Sequence, residues 1–507
     1  MPRHVAVRVL DGWHDPERVF IALATEATTA VWLDGGIDAT SGRSVIAIAH
    51  DTSRIVVAGS DDDPDAVLGE LRDALRRETA TSRMSDASHD TPSEQAGDRR
   101  VARDVRHFGD GVRGESGEAA HTTMLGWLGW FGYEFGARRL GVPVATDGTP
   151  EAAWLFADRG IVFDHARRTV RLEWLGSQDG DAWAVQTAAA IEALDEASGD
   201  PIRGEARAAE ASVDEASAVG PTAAEASVAA DPPAPRWRHG PDAYASMIAA
   251  CQAAIARGDA YQLCLTNRVD VGAHPDPLET YLRLRRSSPT HHGGYLRFGD
   301  TALLSASPEQ FLLVEPDGRV STRPMKGTRP RGATPADDER LRRELEASEK
   351  ERAENLMIVD LMRNDVSRIA ELGSVHVPDL LVTESYPHVH QLVSTVAARL
   401  RAGLTAVDAL AAAFPAGSMT GAPKESAMRI LHDLERGPRG VYSGVFGSLA
   451  VDGSADLAMV IRSIVLTPRG ASVGTGGGIT ALSDIDDEIE ETRIKARALL
   501  AVLAPPA

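Results

Sequence analysis

GVYSGVFGSLAVDGSADLAMVIRSIVLTPRGASVGTGGGI, residues 440–479, is a succession of short Val-, Ile-, Phe- and Leu-rich runs broken by Gly-, Asp- and Pro-bearing turns. That pattern predicts consecutive strands joined by hairpins. Within it, Arg462 shares a predicted strand face with Val460 and Ile464, so its guanidinium must find an anion. Upstream, DAYASMIAACQAAIARGD predicts an amphipathic helix and AYQLCLTNRVDV a strand. A meander follows, in which Pro316-Asp317-Gly318 reverses two strands, and then a helical region over about 335–369. A last helix is expected over about 484–503. Strands bracketing helices, with hairpins as the usual connection, predict an α+β fold built on antiparallel sheet.

The rest of the chain divides by composition. Residues 1–175 read as an N-terminal α/β region with strands near 5–10, 44–48 and 55–58 and an amphipathic segment near 65–77. It is interrupted at about 78–120 by a Ser-, Asp-, Gly- and Arg-rich insertion too poor in large aliphatics to offset the entropy of ordering. The segment WLFADRGIVFDHARRTVRLEWL is expected to form a strand, a turn and a strand. Residues 176–237 become Ala-, Glu-, Ser- and Pro-rich after a possible helix at 183–197, and are expected to be a largely disordered linker. Residues 238–507 are expected to form a separate folded domain.

At 507 residues and 43% hydrophobic content the chain can bury a large core. A net charge of −21 without any basic block argues against nucleic acid and anionic membranes as partners. Two cysteines, Cys251 and Cys264, cannot make a disulfide framework. With no apolar run of eighteen and no apolar core in the N-terminal twenty residues, a cytoplasmic location is expected.

Only four of the 53 basic residues are lysine: Lys326, Lys350, Lys424 and Lys495. Where a generic positive charge is written as arginine, a lysine marks possible chemistry, because an amine can lose its proton and attack carbon. Lys326 stands among arginines in TRPMKGTRPRG, residues 322–332. Two pairs of glutamates share a three-residue spacing. Glu351 and Glu354 head a stripe through Met357, Ile358 and Leu361; Glu488, Glu491 and Lys495 head one through Leu499 and Val502. Each pair alone reads as a solvated acidic face; two pairs entering apolar seams could converge on a hard cation such as magnesium. FPAGSMTGAPKESAM, residues 414–428, offers backbone N–H groups at a helix start, or simply a tight turn and a capped helix. GTGGGI permits close approach of backbone to a ligand.

Taken in order, SASPEQF, RPMKGTRPRG, AENLMIVDLMRND, FPAGSMTGAPK, GGGI and EETRIKA resemble the motifs of the chorismate-utilising enzymes. The likeness covers about 241–507, and more loosely VWLDGG and GWLGWFGYEFG near the N-terminus. It implies two large, mostly antiparallel sheets packed as a sandwich with flanking helices, chorismate as substrate and Mg2+ as cofactor. In this family a lysine at the position of Lys326 marks the branch that aminates chorismate at C4, the aminodeoxychorismate synthase component I branch feeding p-aminobenzoate and folate; anthranilate synthase large subunits carry alanine there. Isochorismate and salicylate synthases place a lysine where this chain has Gln262.

The resemblance further implies roles. Lys326, as the neutral amine, would attack chorismate C2, and Glu309 would be the general acid for the leaving hydroxyl. Glu354 and Glu491 would hold the metal, with Glu351 and Glu488 in support through water. Arg462, Tyr442, Ser418, Thr328, Lys495 and the Gly476, Gly477 and Gly478 backbone would hold the substrate. Many relatives have histidine immediately before LVS, a slot filled here by Gln391, with His390 one residue earlier. Neither cysteine has the setting of a glutaminase nucleophile, so ammonia is expected from a separate glutamine amidotransferase subunit. The competing expectations are an anthranilate synthase large subunit and a silent chorismate-binding regulator, which would be expected to lack the lysine, the acid or the metal carboxylates.

Overall fold

The computed structural model describes residues 4–86, 122–197, 234–386 and 389–504. Its described strands form two antiparallel sheets of twelve and ten strands. Each sheet mixes strands from both ends of the chain. In the first, Thr29–Asp34 pairs with His292–Phe298; in the second, Gly126–Phe131 pairs with Val445–Ala450.

Alternation along the strands explains the layering, because successive side chains point to opposite faces. In Gly126–Phe131, Leu128 and Trp130 enter a core shared with Val31, Val45, Leu296 and Leu303 of the first sheet. This core lies between the two sheets, and Trp130 meets Phe298 across it edge-on at 4.9 Å. Trp127 and Phe131 face the other way, into a core roofed by the helices Pro64–Asp86 and Ala406–Ala413. Beyond the first sheet, Trp32 and Ile46 pack against helices that include Pro277–Ser287 and Ile485–Leu503. The order is helices, sheet, sheet, helices, an α+β sandwich, and strands covered on both faces read as near-continuous apolar runs. Removing a ring such as Trp130 from this core would cost about 3–5 kcal/mol.

The local readings meet two differences, both where the chain changes sheets. The run 152–175 makes three strands rather than two: Ala152–Ala157 belongs to the second sheet, and Arg159–Asp164 and Thr169–Leu175 to the first. Likewise Arg462 is not on a strand. Ala455–Met459 lies in the second sheet and Ser463–Thr467 in the first, and Arg462 sits in the crossing with φ 50°. Period-two alternation cannot register such a crossing, since both flanking runs are strands. The helical region over 335–369 is two helices, Pro335–Ala347 and Glu349–Ser367, divided where the Ser348 hydroxyl accepts from the Glu351 N–H and caps the second.

The insertion and the linker lie largely outside the described residues; the helices Pro64–Asp86 and Gln178–Ala197 run into them. Among the described residues no helix is long and apolar enough to cross a membrane.

Candidate active site

A cavity of about 440 Å³ opens where the two sheets meet the helices Glu349–Ser367 and Ile485–Leu503. Its size suits a small organic ligand. Every residue predicted for the site lines it: Lys326 and Glu309; the four glutamates Glu351, Glu354, Glu488 and Glu491; Arg462, Tyr442, Ser418, Thr328 and Lys495; and Gly476, Gly477 and Gly478. Over 180 residues of chain separate the first of these from the last.

One wall is the strand Met325–Pro330, in which Gly327 at φ 79° coincides with a register shift between Lys326 and Thr328. This bulge re-aims the side chains on either side. Lys326 is half-buried, and Thr328 lies exposed at the rim. Of the three lysines on the cavity, Lys350 pairs with Glu488 at 3.0 Å, and Lys495 pairs with Glu491 at 2.6 Å while donating to the Gly476 carbonyl at 2.8 Å. Of the three, the Lys326 amine alone has no hydrogen bond or ion pair among the described residues. The fourth lysine, Lys424, is half-buried elsewhere against Asp365 and the Ala413 carbonyl.

The expected role of Lys326 as a neutral amine requires it to lose a proton. Burial works against its charge, but the fields of Cys264, Glu354, Glu309 and Glu491 prevail, and its pKa is raised. The neighbouring carboxylates thus favour the ammonium form, and the proton must leave before the amine can attack.

Glu309 is buried, and its Oε1 accepts a hydrogen bond of 2.9 Å from the Ser418 hydroxyl. Burial pushes this carboxyl up, and Lys326, the Ser418 hydrogen bond and Lys495 only partly offset that. A carboxyl held protonated to higher pH suits a proton donor. Ser418, expected to hold substrate, thus also holds the acid, through the short 3-10 turn Gly417–Met419.

Opposite stands the strand Gly470–Ile479, paired in register with Gln262–Val271. Its glycines are required by what approaches them. A Cβ at Gly474 would lie 2.0 Å from the Tyr442 ring, and one at Gly478 would lie 2.3 Å from the Gln262 amide nitrogen. Arg462 is exposed to the cavity with no protein anion paired to it among the described residues. A guanidinium so left suits a ligand carboxylate.

The four carboxylates differ in how they are held. Glu351 faces Arg329 at 3.6 Å; Glu488 is taken by Lys350 and the Ser483 hydroxyl; Glu491 is taken by Lys495. Glu354 is buried and without a hydrogen-bond or ion-pair partner among the described residues. Burial pushes it up to about 7, helped by Glu351 and Glu488 and opposed by Lys326 and Lys350. A buried carboxyl lacking any donor fits a hard cation. Among the described residues no three acidic, histidine or cysteine side chains form a metal cage by themselves.

His390 is not at the cavity. It is 1% exposed, and its ring bonds Asp338 at 2.9 Å and Ser385 at 2.8 Å. Gln391 lines the cavity instead, in the slot before LVS. Sequence reasoning assigned no role to Lys350, although the scarcity of lysine had marked it.

Fold and site together define an enzyme-like sandwich with an acid, an amine and an acidic quartet around one cavity. Residues 64–501 match the family model of the chorismate binding enzymes, and the chain belongs to that family. It is 44% identical over 397 residues to an aminodeoxychorismate synthase from Streptomyces griseus, covering 78% of this chain and 52% of that protein. It is 40% identical over 387 residues to an anthranilate synthase component 1 from Streptomyces coelicolor, covering 75% and 72%. The fold is similar to that of anthranilate synthase component I from Streptococcus pneumoniae, with a TM-score of 0.63 and 24% identity over 98% of this chain and 92% of that one. This chain spans about half the length of the Streptomyces aminodeoxychorismate synthases it matches.

Proposed function

We propose that this chain aminates chorismate at C4, as an aminodeoxychorismate synthase component I. The observation that carries the reading is Lys326: among the described residues it is the one cavity lysine whose amine has no partner, and it faces Glu309 across the same space as the acidic quartet. The Streptomyces griseus aminodeoxychorismate synthase and the component 1 from Salmonella typhimurium, each 44% identical over the matched region, support it.

In this reading Lys326, once deprotonated, bonds through Nζ to C2 of chorismate. The ring double bonds shift, the C4–O bond breaks, and Glu309 gives its proton to the departing hydroxyl, which leaves as water. Ammonia then bonds to C4, the double bonds shift back, and the C2–N bond to Lys326 breaks, giving 4-amino-4-deoxychorismate. Arginine could not take this part, because guanidinium stays protonated. Arg462 meets one substrate carboxylate, and Tyr442 and the Gly476 to Gly478 backbone line the pocket around it. Glu354 and Glu491 would hold Mg2+, which would supply positive charge to the ring carboxylate. Ammonia comes from a separate glutamine amidotransferase subunit.

Incubation of the isolated chain with chorismate, magnesium and an ammonium salt, with products identified by mass spectrometry, is expected to show aminodeoxychorismate, and glutamine is expected not to replace ammonium. Lys326→Ala is expected to abolish the product; unchanged turnover at saturating ammonium would reject the lysine as nucleophile. The 40% identity to the Streptomyces coelicolor component 1 favours anthranilate formation as the second reading, which the direct appearance of fluorescent anthranilate would establish.

A further inference from the structure

The N-terminal motif GWFGYEFG contributes no residue to the cavity, yet two of its side chains end in a buried polar cluster one layer behind it. Tyr133 and Glu134 open the helix Tyr133–Arg139 and are both buried. The Glu134 carboxyl accepts the backbone N–H groups of Arg439 and Gly440 at 2.7 and 2.9 Å. The Tyr133 ring lies under the Arg439 guanidinium, 4.2 Å from centroid to Cζ.

Arg439 is 5% exposed, and each of the five N–H groups of its guanidinium has an acceptor. Nε and one terminal nitrogen donate to the two Glu435 oxygens at 2.8 and 2.7 Å. The remaining bonds go to the Met419 carbonyl at 2.6 Å, the Cys264 carbonyl at 2.9 Å and the Ser443 hydroxyl at 3.4 Å. A lysine has three donors on one nitrogen and could not span these five positions.

Two of the acceptors matter for the cavity, because Met419 and Cys264 both line it. Cys264 sits on the strand facing Gly478. Met419 ends the turn that carries Ser418, whose hydroxyl is the one hydrogen-bond partner of the Glu309 carboxyl among the described residues. Arg439 therefore fixes the turn relative to the sheet, and the turn fixes the acid.

We propose that Arg439, seated by Tyr133 and Glu134, is a positioning residue that places the Ser418 hydroxyl on Glu309, a role that rests on the reading of Glu309 as the general acid. It gives the N-terminal motif a purpose in the chemistry although it never meets the substrate. The groups facing Glu309 are Lys326, Lys495 and Ser418, and Arg439 acts on it only through the last.

The test reads Glu309 itself. Difference infrared spectra of wild type against Glu309→Gln isolate its carboxyl band, and titrating that band gives a protonation midpoint. Ser418→Ala removes a donor to the charged form, so the midpoint rises. Arg439→Lys, folded by circular dichroism, is expected to raise it in the same direction, and the double variant to raise it no further than Ser418→Ala alone. A folded Arg439→Lys with an unmoved midpoint, or shifts that add in the double variant, would overturn the proposal. Should Arg439→Lys not fold, Glu134→Gln, which keeps the guanidinium and removes one acceptor beneath its backbone, takes its place with the same two outcomes. Turnover of Glu309→Gln is read separately: an undiminished rate removes the acid assignment, while the infrared result still decides the clamp.

Discussion

Lys326 and Glu309 are both shifted upward, one by its neighbours' charges against burial and the other by burial, which sets an expectation for the pH profile. Turnover needs Lys326 neutral and Glu309 protonated, the reverse of the states each prefers between their two pKa values. Below the Glu309 pKa the acid is fully protonated, so kcat/KM rises with pH as Lys326 loses its proton. Above that pKa the two dependences cancel and the profile is flat, so the acid limb reports Glu309. Ser418→Ala withdraws a hydrogen bond from the charged carboxylate and should move the acid limb of kcat/KM to higher pH. A limb that stays in place or moves down would refute the assignment. At this scale the sequence was informative for a chemical reason: amines and carboxylates are rare in apolar surroundings, and each one that occurs there needs a partner. It could not show what raises the Lys326 pKa, which depends on carboxylates more than 25 and 160 residues away along the chain.

Strands and helices bring these groups together, and close packing between elements limits substitution. Gly474 lies on the strand Gly470–Ile479 directly beneath the Tyr442 ring, where an added Cβ would overlap the ring at 2.0 Å. Gly474→Ala should displace the ring and destabilise the fold by about 1–3 kcal/mol. Urea unfolding measures the loss, and a raised chorismate KM would accompany it if Tyr442 helps to hold substrate. Unchanged stability would mean that the two elements are farther apart than described. Most elements could be read from periodicity: the hairpins of 440–479, the two glutamate-headed helices and the Pro-Asp-Gly turn were all legible. The crossings at Asp158 and at Arg462 were not, because an apolar run buried on both faces looks the same whether it stays in one sheet or passes to the next.

The whole molecule shows its coupling in the buried cluster between the N-terminal motif and the cavity wall. Burial pushes Glu134 up to about 8, despite the hydrogen bonds from the Arg439 and Gly440 backbone. Between the ordinary carboxylate pKa and that value the folded chain holds a proton that the unfolded chain has lost, so Glu134 makes stability fall as pH rises through the window and level off above it. Glu134→Gln should flatten that part of the slope of unfolding free energy between about pH 5 and 8; an identical slope in the variant would show that the group ionises freely in the fold. Composition, turn chemistry and spacing were enough to yield an α+β fold on antiparallel sheet, the scarce lysine and the four carboxylates, because these follow from local periodicity and from the chemistry of individual side chains; the sandwich and Glu309 came from the resemblance of the ordered motifs. Pairing was decided only by the tertiary structure: which cation neutralises which carboxylate, that His390 turns away while Gln391 faces the cavity, and that Arg439 ties the two ends of the chain together. Those outcomes depend on distances between residues far apart in sequence, and such distances exist only once the sheets have closed on each other.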